Sequence, residues 1–302
     1  MAHRAALLAH LARIAAPAAA MIVWPAAAPV LAIAAYVPVF LLAHELAHGA
    51  LGLSRRRNEL ALALAGVAMA TSGHALRRMH LHHHAHPFRA DDLEGRSAAM
   101  PPWRALVSAP GLAIQLAVAA WRTATARDRR WQRGELATLA ALATVIAIAG
   151  PHAARCYLGV AAIGQLLAPF WVGHLIHRPP GWLLAIARVL ARAGSMTMRT
   201  LVLHQAHHRQ PKLPTQLLRD AAGPEAPTER SRSDAGGTLV EGHDLVSQRR
   251  SSVCRAREAT IAGRVGRCAH PQVDRRLAQA NTDRTGVPRY PPLYFRAVLR
   301  QQ

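Results

Sequence analysis

The chain has 302 residues, of which 51% are hydrophobic and only 5% aromatic, and its formal net charge is +21. The hydrophobic residues form long runs of alanine, leucine, valine and isoleucine, and the basic residues between these runs are almost all arginine. This arrangement predicts an integral membrane protein whose arginines set its topology, and we expect no nucleic acid as a partner. The three cysteines form no CxxC pair, which argues against a zinc ribbon and a disulfide scaffold.

Two apolar segments near the N-terminus, Ala5–Trp24 and Ala26–Ala43, are separated by a single proline. Each is close to the roughly 20 residues that a helix needs to cross the hydrocarbon core, so they predict a first transmembrane hairpin. The second helix ends at His44 and His48, which lie one turn apart on the same face. Three arginines follow at positions 55–57, which places this end of the hairpin in the cytoplasm.

The next apolar segments, Leu60–Ser72 and Leu106–Trp121, are predicted not to cross the membrane. The first has only 13 residues, and a crossing would put the histidines after it on the opposite side from His44 and His48. We therefore expect a helix over Glu59–Arg78 that lies in the membrane interface. The second segment precedes an arginine-rich stretch that the positive-inside rule keeps in the cytoplasm, so it is expected to stay interfacial or to dip in and return.

A second transmembrane hairpin is predicted over Leu136–Ala149 and Ala154–Trp171, with a Gly-Pro turn between its helices. The predicted fold is therefore all-α, with two transmembrane helical hairpins, interfacial helices and a histidine-rich cap on the cytoplasmic side. Residues 1–218 are expected to form this membrane domain. Residues 219–302 are rich in arginine, serine, glycine and proline without a sustained apolar period, and we expect a disordered tail there.

Three histidine motifs carry the chemistry: HELAH, the HxxHH within HLHHHAHP, and a second HxxHH in HQAHH. The eight ligands that they predict are His44, His48, His80, His83, His84, His204, His207 and His208. Neutral imidazole suits iron, zinc and copper, and eight imidazoles are too many for one metal ion and about right for two. His174 and His177 stand on the same side of the membrane and would complete the set, whereas His82 and His86 fall outside the spacing.

Two acidic residues, Asp91 and Asp92, follow the second motif. A carboxylate that accepts the outer N–H of a ligand imidazole fixes its tautomer and orientation, and we predict this role for both aspartates. No catalytic side chain is predicted beyond the metal ligands and these supports.

The motifs HELAH, HLHHHAHP with an aspartate pair after it, and HQAHH followed by PKLPTQLL resemble the three histidine boxes of the integral-membrane fatty acid desaturase superfamily, which includes carotenoid ketolases and hydroxylases. The resemblance covers about Ala26–Leu218. It implies a non-haem di-iron centre with two iron ions, which activates O2 and removes hydrogen from a C–H bond of a membrane lipid or acyl substrate. Electrons would come from an external carrier of the ferredoxin, rubredoxin or cytochrome type. Fatty acyl desaturation is the expected activity, with carotenoid ketolation or hydroxylation as the alternative.

The stretch FWVGHLIHRPP, Phe170–Pro180, resembles the segment before the third box that supplies an additional histidine in many family members. His177 matches that position best, and His174 is a further candidate ligand. Many fatty acid desaturases carry an asparagine shortly before this histidine, and the segment here has none. A bound water or His174 is the expected replacement.

The motif HELAH also satisfies HExxH, the zinc protease signature in which the glutamate is the general base. A membrane protease of that kind needs a third ligand from a later membrane segment, commonly an aspartate, and Leu136–Trp171 contains no acidic residue. It would also leave six histidines of the boxes unused. A transporter or metal-storage protein is a further alternative, but no polar residue lines a path through the middle of the predicted bundle.

Overall fold

The computed structural model describes residues 2–218, and every regular element in that part of the chain is helical. The α-helices are α1 (Ala2–Val23), α2 (Ala28–Ala47), α3 (Arg55–Ala68), α4 (Gly73–Ala85), α5 (Pro102–Thr123), α6 (Ala126–Ala149), α7 (His152–Leu166), α8 (Gly181–Arg192), α9 (Met196–Val202) and α10 (His204–Arg209). Short 3-10 helices lie at Pro25–Ala27 and Gly95–Ala99, and a π-helix spans Pro169–His174. The predicted tail, residues 219–302, lies outside the described residues.

Helices α1 and α2 form the predicted N-terminal hairpin, joined by the 3-10 turn. Small side chains fill much of their contact, because Ala6, Ala28 and Ala32 are all buried. Alanine at such positions lets two helix backbones approach closely, which is how apolar helices gain packing contacts where water exclusion contributes little. The C-terminal half of α2 is buried from Val39 to Ala47, so the hairpin delivers its last turn into the interior.

Among residues 2–218, four helical segments are long and apolar enough to cross a membrane, namely α1, Pro25–Ala47, α5 and α6, and the bent pair of α3 and α4 would be a fifth if it formed one span. These apolar helices support an integral membrane protein. Three of these segments overlap predicted membrane spans, and the fourth is α5, which takes the place of the predicted span over Ala154–Trp171. Helix α5 has the length and composition of a span although its core was expected to be interfacial, and α7 has only 15 residues. The second predicted hairpin arm continues from α7 into the π-helix Pro169–His174.

The prediction of a single helix over Glu59–Arg78 is wrong, because the structure divides this stretch between α3 and α4, which meet at an angle of 102°. Residue Ala70 in the break has φ of 57°, which ends α3, and Ser72 then caps α4 by accepting a hydrogen bond from the amide of Ala75. Two glycines allow the sharp bend. A Cβ on Gly66 would collide with the backbone of Gly73, and one on Gly73 would collide with the carbonyl of Leu62.

Helices α4, α5 and α6 are tied together through Arg78, a buried side chain of α4. Its Nε donates to Thr123 Oγ1 at the end of α5 (2.8 Å), and its guanidinium pairs with Asp128 at the start of α6 (3.1 Å). Asp128 also forms a capping box with Thr125 that starts α6. These contacts fix the ends of α5 and α6 against the helix that carries the second histidine motif.

Candidate metal centre

The three histidine motifs converge from separate elements onto one region of the helical bundle. His44 and His48 come from the last turn and C-cap of α2, three more histidines from the second half of α4, and the third motif forms α10. His177 arrives from the turn after the π-helix. The histidines of this region fall into two neighbouring groups.

The first group takes residues from all three motifs, and its imidazole nitrogens lie within 4.8 Å of one another. Its members are His44, His48, His80, His84 and His207. The closest measured approach is 2.9 Å between the Nε2 atoms of His48 and His80. Ring nitrogens that converge in this way present their lone pairs to a common point.

The second group contains His83, His177 and His208, again with nitrogens within 4.8 Å of one another. His204 adjoins it, since its Nε2 lies 3.1 Å from Nε2 of His208 and 3.4 Å from Nε2 of His177. Neighbours in sequence are thus divided between the groups, because successive residues of a helix point about 100° apart. His83 serves the second group, whereas His84 serves the first.

Burial favours the neutral form of several of these imidazoles, whereas for His83 the hydrogen bond to Asp92 outweighs burial and raises the pKa. Removal from water, together with the neighbouring imidazoles, lowers the pKa of His177 to about 4. The same two causes lower the pKa of His207 and of His208 to about 3. An imidazole binds a metal ion only when it is deprotonated, so the region offers metal-ready ligands at neutral pH.

Several of these nitrogens lack any hydrogen-bond partner among the described residues. Both ring nitrogens of His84 are buried and unpaired, as are Nε2 of His83 and Nε2 of His207. Buried polar atoms without a partner cost free energy, and nitrogen donors in two groups of this size satisfy the needs of two transition-metal ions. The residues present therefore fit a pair of metal ions.

Carboxylates hold the outer nitrogens of two histidines. His83 Nδ1 donates to Asp92 at 2.7 Å, and Asp92 also accepts the backbone amides of Phe88 and Gly95. Burial alone would raise the pKa of Asp92, but these hydrogen bonds outweigh it and lower the pKa. Asp91 instead lies 3.4 Å from Nε2 of His82, a histidine outside both groups.

A second supporting carboxylate was missed from the sequence. Glu94 lies 2.7 Å from Nδ1 of His80, which leaves Nε2 of that ring facing the first group. This is the arrangement expected of a residue that orients a metal ligand. The signal was the acidic run itself, in which Glu94 follows Asp91 and Asp92 after a single intervening residue.

A family model described as fatty acid desaturase matches residues 21–232, more than two thirds of the chain. The chain belongs to the fatty acid desaturase family. This membership makes it a membrane oxidoreductase of the histidine-box type, in a family known for di-iron chemistry and for lipid or acyl substrates. Searches of curated proteins and of solved structures found no match.

His174 stands apart from both histidine groups. Its Nδ1 lies 2.9 Å from the carbonyl oxygen of Ser97, and its ring stacks on Phe170 with 5.9 Å between ring centroids. Ser97 Oγ in turn donates to the carbonyl of Pro169 at 2.6 Å. These contacts attach the π-helix to the segment that carries Asp92 and Glu94, so His174 helps to place the turn from which His177 projects.

The glutamate of HELAH is directed away from the histidine groups. Glu45 is buried, with Oε2 lying 3.1 Å from Nε2 of His10 on α1 and Oε1 accepting the backbone amide of Thr215 at 2.8 Å. A zinc protease needs this carboxylate on the metal-bound water. Here the carboxylate instead connects α1, α2 and the segment that follows α10.

An apolar cavity of about 420 Å³ opens beside the first histidine group. His44 and His80 form part of its wall, and most of the remaining wall residues are apolar, with the largest share from α5. On α4 the wall follows one helical face, from Ala75 and Leu76 through Met79 to His80. The cavity therefore gives an apolar molecule a place directly against two histidines of the first group.

Proposed function

We propose that this protein is an O2-dependent non-haem di-iron membrane oxidase that desaturates a fatty acyl chain. One observation carries the proposal: the two histidine groups adjoin each other, and the apolar cavity reaches the first group at His44 and His80. Two iron ions bound there would supply O2 activation for removing hydrogen from an unactivated C–H bond. Membership of the desaturase family supports this assignment.

The five imidazoles of the first group would hold one iron. His83, His177, His204 and His208 would hold the other, which accounts for all nine predicted ligands. His204 is included because its Nε2 is close to two members of the second group. Asp92 and Glu94 keep the outer nitrogens of His83 and His80 occupied, so that Nε2 of each ring is left for metal.

The cavity wall would position the substrate and exclude water from the reacting carbon. Leu76 and Met79 of α4 and Leu116 of α5 line the cavity together with His80, and the charged side chains of the wall are Glu94, which is bonded to His80, and Arg122. An acyl chain gains free energy by burying its methylenes there, at about 0.8 kcal/mol for each CH₂. The protein's contribution to the reaction is thus to hold two adjacent methylene groups of the substrate beside the metal ligands.

We propose that the histidine groups face the cytoplasm and that α5 lies along the membrane interface rather than crossing it. Thr123 at the end of α5 bonds to Arg78, only two residues from His80, and the segment before α5 contacts His174. Both ends of α5 therefore lie near the level of the histidines. The arginines on either side of the α5–α6 turn support the same orientation, because basic segments favour the cytoplasmic side.

An external electron carrier is the partner that this chemistry needs. The N-terminal part of α6 has an exposed basic cluster formed by Arg127, Arg129, Arg130 and Arg133. Such a cluster attracts an acidic partner and speeds its association. A ferredoxin-, rubredoxin- or cytochrome-type carrier is the proposed donor, and Coulombic docking predicts that electron delivery slows as ionic strength rises.

The test is product analysis in a host that supplies acyl lipids, carotenoids and an electron donor. Expression of the full chain should yield a lipid with a new double bond in air and none without O2. A ketone or hydroxyl on a carotenoid would assign the carotenoid alternative on the same scaffold. If the chain hydrolyses a membrane protein, and if that hydrolysis continues without O2, the zinc protease would be assigned and the proposal contradicted.

A further inference from the structure

Outside the histidine groups, the cavity wall contains one buried side-chain donor that has no hydrogen-bond partner among the described residues. Gln132, on the second turn of α6, is 2% exposed, and its amide Nε2 is buried without a hydrogen-bond partner among the described residues. A buried N–H that makes no hydrogen bond costs free energy, so a side chain of this kind needs a partner from elsewhere.

The other carboxamide in the cavity wall, that of Gln165, has a hydrogen-bond partner within the protein. Gln165 of α7 already donates its Nε2 to Tyr36 Oη at 2.9 Å. Ser72, another polar wall residue, donates its hydroxyl to Glu135. Gln132 Nε2 therefore makes no hydrogen bond within the described residues, whereas the Nε2 of Gln165 and the hydroxyl of Ser72 each make one.

Contacts between α4 and α6 locate Gln132 along the cavity. The two helices run in opposite directions, since Asp128 pairs with Arg78 while Glu135 contacts His74. Trp131 stacks on His74 with 4.8 Å between ring centroids. Gln132 thus lies level with the first turn of α4, five or six residues before His80. At 1.5 Å per residue the separation along the helix axis is about 8 Å.

We propose that Gln132 is a specificity-determining residue whose amide donates a hydrogen bond to an oxygen atom of the substrate. The occupant of the cavity is then an apolar chain that carries a hydrogen-bond-accepting oxygen, an ester carbonyl or a hydroxyl, about 8 Å along α4 from His80. This contact fixes which carbon of the chain rests against the first histidine group. The inference rests on the proposed function for the identity of the cavity as the substrate site.

A competition experiment tests the contact without any turnover. The full-length protein, purified in detergent and kept without O2 or reductant, is mixed with equal amounts of a long-chain methyl ester, a primary alcohol and an alkane of matched length. Native mass spectrometry then gives the ratio of bound ligands. One net hydrogen bond to a neutral donor predicts that the wild type prefers an oxygenated ligand to the alkane by about threefold to tenfold. The ester and alcohol arms show which oxygen is preferred.

Gln132→Met keeps the side-chain volume and removes the donor, so the preference should fall to about one, and Gln132→Leu serves as a second variant. Gln165→Met is the matched control and should keep the wild-type ratio, because the amide of Gln165 is already hydrogen-bonded to Tyr36 and is not the buried amide without a partner. An equal preference in the wild type and in both Gln132 variants would overturn the inference, as would a wild type that binds none of the three ligands. A wild-type protein that shows no preference for an oxygenated ligand, yet still forms oxidised lipid in the host, would contradict this contact and leave the proposed function standing.

Discussion

The Nε2 atoms of His48 and His80 lie 2.9 Å apart, although 32 positions separate the two residues in the chain. The C-cap of α2 and the middle of α4 supply them, and Glu94 fixes the ring of His80 from behind. Two imidazole nitrogens at this distance can share an N–H···N hydrogen bond, and they also have the spacing of two adjacent ligands of one metal ion. The relationship shows that α2 and α4 bring histidines of two motifs into direct contact, as a shared metal site requires.

Replacement of His84 by alanine should remove about one of two irons, because both ring nitrogens of His84 are buried and have no hydrogen bond among the described residues. The matched control is His82→Ala, in the same helix, where the ring faces Asp91 outside both groups. Elemental analysis of the purified variants gives the metal per chain. Full iron content in His84→Ala, or equal loss in both variants, would count against the division into two groups.

Asp92→Asn should weaken metal binding at the second group by about 10- to 100-fold, since the carboxylate orients His83 through Nδ1. Titration with a competing chelator measures the change. Asp91→Asn is the control and should behave as the wild type, because Asp91 pairs with His82, which belongs to neither histidine group. A larger effect from Asp91 than from Asp92 would reverse the assignment of the supporting carboxylate.

Glu45→Gln should keep two irons per chain and lower the thermal unfolding midpoint. The carboxylate bonds to His10 and to the amide of Thr215, and glutamine keeps one acceptor oxygen but removes the charge that strengthens both contacts, at a cost of roughly 1 to 3 kcal/mol to the folded state. A scanning calorimetry or fluorescence melt in detergent shows the shift. In a zinc protease the same substitution would abolish the reaction with the fold intact, and that outcome would support the protease.

Glu135→Ala should destabilise the protein by roughly 3 to 5 kcal/mol, because it leaves the buried ring of His74 with one carboxylate instead of two. Glu135, Glu59 and His74 join α6, α3 and α4, so the loss acts on the whole helical assembly. Chemical unfolding in detergent gives the free energy. Arg127→Ala is the control: its distant, half-exposed pairing with Glu59 predicts a change below about 1 kcal/mol.

Sequence patterns predicted the helical, membrane-bound architecture because long apolar runs and flanking arginines report directly on membrane insertion. The break between α3 and α4 was not predicted. Its causes are the left-handed residue Ala70 and the close contact of Gly66 with Gly73, and neither is visible in an apolar run. A glycine in the sequence shows that a close backbone contact is possible there, but only the structure shows which segment makes the contact.

Eight histidines could be proposed as ligands from the spacing of the three motifs and His177 from the family resemblance, and that assignment stays a prediction. Their division into two groups could not be proposed, since it depends on the directions of α2, α4 and α10 relative to one another. The carboxylates that orient the histidine rings could not be assigned from the sequence either. Asp92 and Asp91 are neighbours in sequence, yet the loop directs one to His83 and the other to His82, while Glu94 reaches His80.

The most direct test of the account is the metal content of the full-length protein, purified without chelators and measured by elemental analysis. Nine imidazoles in two adjoining groups predict about two irons per chain. One zinc per chain, with no iron after reconstitution under anaerobic conditions, would contradict the di-iron oxidase.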